Sequence, residues 1–420
     1  MSVKMFSYGL ASLALIAGAF QARSAEGDAT KSHNRYVAQL ADCVACHTYP
    51  GNPEYTGGIP FKSALGTVYS ANITPDKKTG IGNYSYQDFD NAVRKGINIK
   101  GKPVDPGMPY PAYSKMTDQD LKALYDFFMH EVKPVVNEVK GAEGQSEERL
   151  KAWREKYSPT VEVWRAPQGM DPVIARGAYL VETLGHCGYC HTERGADGQE
   201  VAYSNDKERR YLAGAVYDNW LAINLRNDNK DGLGDWSEEE IVTLLKSGRN
   251  YRTAVFGGMA TVVGHSTQYM TKEDLTAVAR YLKSLEPKTQ SPAYKYDDAT
   301  AKAIAGGDIS KAGAAVYVDN CNACHRSDGK GYAGAFPALA GNSVVRSDNP
   351  ISLIHIVLAG FTVPATEAAP STFTMPAFGD RLDDQSVADV VNFIRSGWGN
   401  GGKEDVTPET VAKVRESTKG

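Results

Sequence analysis

Cysteine is scarce in this chain of 420 residues, with six in all. That is too few, and too widely scattered, for a disulfide framework, which is a device of small domains with little core. Beyond the N-terminal stretch, no apolar run reaches the roughly 18 residues that a membrane helix needs. Neither sign of charge dominates: 46 Lys and Arg stand against 50 Asp and Glu, for a formal net charge of −4. There is no basic stripe, which argues against nucleic acid as a partner. Hydrophobic residues make up 42%, enough for several cores, and the length points to two or three domains.

What the chain does have is a pattern that uses every cysteine. Cys43-Val44-Ala45-Cys46-His47, Cys187-Gly188-Tyr189-Cys190-His191 and Cys321-Asn322-Ala323-Cys324-His325 are three copies of C-x-x-C-H. This pentapeptide is the attachment signature of a c-type haem. Its two thiols add across the haem vinyl groups, and the adjoining imidazole is placed to ligate iron. Zinc also takes C-x-x-C, but a structural zinc site gathers four ligands from neighbouring pairs. Neither disulfides nor a thioredoxin-like centre requires a histidine after each pair. The motifs therefore predict three covalently bound haem c groups, held by Cys43, Cys46, Cys187, Cys190, Cys321 and Cys324, with His47, His191 and His325 as proximal ligands.

Haem attachment takes place outside the bacterial cytoplasm, and the N-terminus agrees with export. Lys4 precedes an apolar run from Gly9 to Phe20, and small residues near Ser24 and Ala25 offer a cleavage site. Residues 1–25 are read as a signal peptide.

Each motif opens a longer unit. Asn72-Ile73-Thr74-Pro75-Asp76 and Gly80-Ile81-Gly82-Asn83-Tyr84-Ser85 reappear as Asn224-Leu225-Arg226-Asn227-Asp228 and Gly232-Leu233-Gly234-Asp235-Trp236-Ser237. The offset is constant, and Asp88 with Glu240 and Gly96 with Gly248 continue it, as expected of a duplication. The third unit lacks this insert. Each unit closes on an amphipathic helix: Leu121, Leu124, Phe127 and Phe128; Leu275, Val278, Tyr281 and Leu282; Val387, Val390, Phe393 and Ile394. Thr117, Thr271 and Asp383 are the expected N-caps. Helices are also expected ahead of each motif, over 34–40, 174–184 and 312–318.

The pattern predicts an all-α fold of three tandem cytochrome c-like domains joined by linkers. The domains cover 26–135, 171–286 and 309–400. Linkers fill 136–170 and 287–308, and a polar, fraying tail covers 401–420.

A haem iron with one histidine leaves a sixth position, which methionine fills in high-potential electron carriers. Met108-Pro109-Tyr110 and Met375-Pro376-Ala377-Phe378 both place Met-Pro ahead of an aromatic residue and before a closing helix. In the second unit the choice lies between Met259 and Met270. Met270 stands just before Thr271, as Met116 stands just before Thr117, in a unit where Met108 is already the better ligand. Met116 and Met270 are therefore read as core residues, and Met108, Met259 and Met375 as the axial ligands. His265 is the rival in the second unit, while His33, His130 and His355 are read as ordinary surface or core residues. The proximal imidazoles need carbonyl acceptors to orient them. Pro337, Pro60 and a carbonyl near Leu212 are the expected ones.

With these residues in place, the chain resembles the triheme cytochrome c subunit of membrane-bound bacterial dehydrogenases, of the alcohol, gluconate, fructose and sorbitol type. The likeness runs through His186-Cys187-Gly188-Tyr189-Cys190-His191-Thr192, Phe256-Gly257-Gly258-Met259, Ser266-Thr267-Gln268-Tyr269 and Leu339-Ala340-Gly341-Asn342. It implies an electron-transfer subunit with no catalytic residues or substrate chemistry of its own. Its partners would be a catalytic subunit carrying flavin, pyrroloquinoline quinone or molybdopterin, a small third subunit, and ubiquinone. The place implied is the periplasmic face of the cytoplasmic membrane. Many relatives are apolar between the first two domains, where this chain has the charged segment Val139–Pro159. Attachment to the membrane surface is therefore expected to be peripheral. The alternatives are a free-standing periplasmic electron carrier and, further off, a haem enzyme such as a peroxidase with an open iron.

Overall fold

The computed structural model describes residues 32–63 and 65–418. The expected signal peptide, 1–25, lies outside them. Each C-x-x-C-H motif forms a short helix of its own: Cys43–His47, Gly188–His191 and Asn322–His325. A longer helix leads into each. Residues 32–40 are helical, Pro172–Tyr179 widens into a π turn at Leu180–Leu184, and Ala314–Asn320 precedes the third.

The closing helices begin where their caps require. Thr117 accepts from the N–H of Asp120 at the start of Asp118–Asp126, Thr271 from Asp274 at the start of Lys272–Ser284, and Asp383 from Ser386 at the start of Asp384–Ser396. All the apolar residues assigned to their inner faces are buried. The duplicated insert keeps its register in three dimensions. Ser85 with Asp88 and Ser237 with Glu240 form equivalent capping boxes. The helices they open end at equivalent left-handed glycines, Gly96 (φ 63°) and Gly248 (φ 76°).

The fold is helical but not all-α. Three two-stranded antiparallel ladders occur where the sequence suggested loops: Pro60–Ser63 with Gly66–Tyr69, Ala215–Tyr217 with Trp220–Ala222, and Phe361–Val363 with Phe373–Met375. The second turns on Asp218 and Asn219, both at positive φ (49° and 60°), a conformation that these residues tolerate in a two-residue hairpin.

Two apolar cores dominate. One runs continuously from Val37 to Leu285 and is shared by the first two repeats, and the other serves the third repeat, from Ala314 to Val414. The first two repeats lock together reciprocally. The Tyr179 hydroxyl donates to Asp120 (2.5 Å) and accepts from the N–H of Thr117 (3.3 Å). The Tyr36 hydroxyl donates to Asp274 (2.7 Å) and accepts from the N–H of Thr271 (3.2 Å). Each entry helix thus caps the closing helix of the other repeat. Gly177 lets its helix cross the closing helix at the carbonyl of Ala277, where any Cβ would collide.

The expected fraying tail needs correction. Pro408–Ser417 is a helix, capped by Thr407, that buries Val411 and Val414 in the core of the third repeat. Asn392 holds it by a pair of hydrogen bonds to the backbone of Val406. The apolar face of this helix is only two valines wide, too slight to stand out against a polar composition. Similarly, the charged stretch after residue 136 contains a helix, Glu147–Tyr157, with Leu150 and Trp153 buried against Leu65 and Tyr110.

Candidate haem-binding sites

The three proximal sides share one geometry. Nδ1 of His47 lies 2.7 Å from the carbonyl of Ala71, Nδ1 of His191 is 2.7 Å from that of Ile223, and Nδ1 of His325 is 2.9 Å from that of Pro337. A carbonyl only accepts, so each Nδ1 carries the proton and donates. That leaves the lone pair of each Nε2 for a metal. Burial lowers the pKa of all three rings, opposed by the bond to the carbonyl, which favours the neutral form that ligates iron.

Pro337 is the acceptor anticipated from sequence, but Pro60 and Leu212 do not accept from an imidazole; the carbonyl of Leu212 takes the N–H of Leu225 instead (2.9 Å). Ala71 and Ile223 take those places, each immediately before the duplicated Asn72 and Asn224. The internal register was the signal that could have found them.

A second shared contact has no sequence signal. The carbonyl of each ligand histidine accepts a backbone N–H from a glycine: Gly57 to His47 (2.7 Å), Gly214 to His191 (2.9 Å) and Gly331 to His325 (3.1 Å). All three glycines have positive φ (72°, 89° and 58°). A Cβ on Gly57 or Gly331 would run into backbone carbonyls. Their separations from the histidines differ, so no motif announces them.

The cysteines are free thiols. Burial pushes Cys43, Cys187, Cys190 and Cys321 up to about 12 and Cys46 up to about 11. Among the described residues no group of three or more His, Cys, Asp or Glu is arranged to hold an ion.

In the third repeat the residues fit a haem directly. Cys321, Cys324, His325 and Met375 all line one cavity, walled mainly by apolar side chains such as Leu353 and Phe378. Met375 enters on the strand paired with Phe361. Met259 is the second residue of the helix Gly258–His265, and Met108 lies just before Tyr110–Tyr113. Both are half-buried. Met116 and Met270, by contrast, are closed inside the shared core. His265 is exposed at the far end of the Met259 helix. His186 is turned to the carbonyl of Leu184 (3.0 Å) and the ring of Tyr113 (5.5 Å).

The sites adjoin one another. The helix Gly258–His265 packs on the helix Cys43–His47, and the hydroxyl of Ser266 reaches the carbonyl of Leu40 (3.4 Å). Thr253–Phe256, from the second repeat, line the cavity of the third.

Comparison with known proteins agrees with this geometry. The cytochrome c family model matches residues 310–398. The chain is 50% identical over 397 residues to the gluconate 2-dehydrogenase cytochrome c subunit of Pantoea cypripedii, covering 93% of this chain and 90% of that one. It is 46% identical over 419 residues to the cytochrome c subunit of alcohol dehydrogenase (quinone) of Gluconacetobacter polyoxogenes, covering 98% and 90%. It is 33% identical to the fructose dehydrogenase cytochrome subunit of Gluconobacter japonicus, covering 92% and 83%.

Proposed function

We infer that this chain, which belongs to the family of cytochrome c subunits of membrane-bound bacterial dehydrogenases, carries electrons from a catalytic dehydrogenase subunit to a quinone. The observation that carries this reading is the threefold proximal geometry. Three half-buried imidazoles, each next to a C-x-x-C pair and each held by a carbonyl at Nδ1, leave Nε2 for iron.

The chain would hold three haem c groups through thioether bonds from Cys43 and Cys46, Cys187 and Cys190, and Cys321 and Cys324. His47, His191 and His325 would ligate from one side, and Met108, Met259 and Met375 from the other. Bound haem supplies a one-electron couple, and methionine opposite histidine sets it at high potential. The carbonyls of Ala71, Ile223 and Pro337 fix the tautomer and orientation of the ligand rings. Held by a histidine and a methionine each, the haems would supply one-electron transfer and not peroxide or oxygen chemistry, which would leave the substrate chemistry to the partner.

The relatives are named for gluconate, alcohol and fructose, which supports a partner that oxidises a sugar acid, an alcohol or a sugar. Flavin, pyrroloquinoline quinone and molybdopterin are the cofactor classes it would carry, and a small third subunit would complete the complex. Ubiquinone is the acceptor proposed, at the periplasmic face. No helix among the described residues is long and apolar enough to cross a membrane, which favours peripheral attachment or attachment through the partner.

Haem counting tests the reading. Pyridine haemochrome analysis of the full chain should return three haems per chain, with the reduced protein low-spin and refractory to carbon monoxide. A lower count, or one carbon-monoxide-reactive centre, overturns it.

A further inference from the structure

Among the contacts between the second and third repeats, which include hydrogen bonds such as Trp236 to Ser343 and Arg346 to the carbonyl of Asn229, one aromatic cluster lies against the third cavity. Trp220, on the second hairpin, stacks on His355 of the helix Ile351–Ala359 with ring centroids 3.7 Å apart and planes 13° from parallel. The contact is braced on both sides. Nδ1 of His355 lies 3.1 Å from the carbonyl of Asn219, and the N–H of Leu221 donates to the hydroxyl of Ser352 at 2.7 Å. The same indole touches Phe256 (5.2 Å) and meets Phe361 edge-on (6.3 Å). Its other neighbour is the backbone of Gly257, where a Cβ would lie 2.8 Å from the indole ring. Gly257 has φ +55°, so a side chain there is excluded twice over.

These neighbours are the walls of two haem sites. Gly257 stands two residues before Met259. Phe361 is the cross-strand partner of Met375. Phe256 and Phe361 both line the cavity that holds Cys321, Cys324 and His325. Met259 and Phe361 also pack against one small cluster of Val255, Ala260 and Val263. An unbroken path of packed atoms therefore runs from the methionine loop of the second site, through the indole, to the methionine strand of the third. Electron tunnelling is faster through packed matter than across a gap, and a void forfeits contact with its lining outright.

We propose that Trp220, wedged between Gly257 and the His355–Phe361 pair, is the coupling residue for electron exchange between the second and third haem sites. The inference rests on the three-haem reading above. One electron leaves the second site and one arrives at the third, with no proton or ligand moving. A residue that only glues two domains together would make a different prediction, because replacing it would lower stability without changing a transfer rate.

The test uses the full chain with its haems. An electron is injected by a flash-generated reductant, and samples are freeze-quenched for electron paramagnetic resonance, which reads each low-spin ferric centre separately. Midpoint potentials are measured alongside by redox titration. In Trp220→Leu, arrival at the third centre should slow several-fold while all three potentials stay in place, and Trp220→Phe should recover much of the loss. An unchanged rate at unchanged potentials overturns the proposal. Should Trp220→Leu fail to load haem, His355→Leu removes the stacked ring but keeps the wedge at Gly257, and the same slowing is expected. Failure of the underlying reading would show separately, as fewer than three low-spin centres in the unmodified protein.

Discussion

The first two repeats and the third solve the same problem of burial in different ways. The first two share one core and cap each other's closing helices through Tyr36 and Tyr179. The third closes on itself, adding Trp398 and the tail valines to its own core. Both arrangements carry the same histidine-to-carbonyl geometry, so that geometry does not depend on how a repeat is sealed. What differs is how far a disturbance should spread. In the fused pair, damage to one repeat reaches the closing helix of the other, while in the third it should stay local.

The largest expected effect breaks that difference from the side of the third repeat. Val411 is fully buried, and Val411→Ala should cost about 2–3 kcal/mol by lost transfer energy and cavity formation. Hydrogen exchange should speed up in peptides covering the helices Asp384–Ser396 and Pro408–Ser417, and stay unchanged over Asp118–Asp126. Equal acceleration in both would mean that the cores are energetically one.

A smaller effect should sharpen the symmetry within the pair. Asp274 keeps two bonds from Arg176 at 2.8 Å when Tyr36 is lost, whereas Asp120 is left with His33 at 3.9 Å when Tyr179 is lost. Tyr179→Phe should therefore cost about 2 kcal/mol and Tyr36→Phe about 1, within the range for hydrogen bonds to charged groups. Denaturant melts of the two variants would decide it, and the reverse order would mean that the ion pair does not compensate.

The smallest effect concerns pH. Burial alone would raise the carboxyl of Asp274, but the bonds from Arg176 and Tyr36 outweigh it and hold the group below its ordinary value. A depressed carboxylate stabilises the fold above its unfolded pKa and loses that contribution as pH falls through the folded one. Acidification below pH of about 4 should thus weaken the unmodified protein more than an Asp274→Asn variant, as a melting series across pH would show.

Much of the site was legible because its chemistry is written in side chains. No other residue does what the cysteine thiols and the imidazole beside them do, so Cys43, His47 and their equivalents could be named from spacing. The closing helices were legible too, since a stripe such as Val387, Val390, Phe393 and Ile394 has one physical explanation. The core role of Met116 and Met270 followed from comparing one repeat with another. The acceptor carbonyls of Ala71 and Ile223 were legible only as an equivalent pair, through the internal register, because every residue carries a carbonyl and only the path of the chain decides which one arrives. Gly57, Gly214 and Gly331 were not legible as donors, nor was the tail helix, whose two valines signal little until a core receives them.

The sequence by itself determined the three C-x-x-C-H motifs, the register of the duplicated insert and the stripes of the closing helices, because these depend on residue identity and short spacing. Only the tertiary structure decided that two repeats share a core, that Tyr36 and Tyr179 cross over, and that Trp220 stands between the second and third sites. Those outcomes turn on contacts between residues far apart in the chain, where a tyrosine or tryptophan is an ordinary apolar side chain until its partner is brought to meet it.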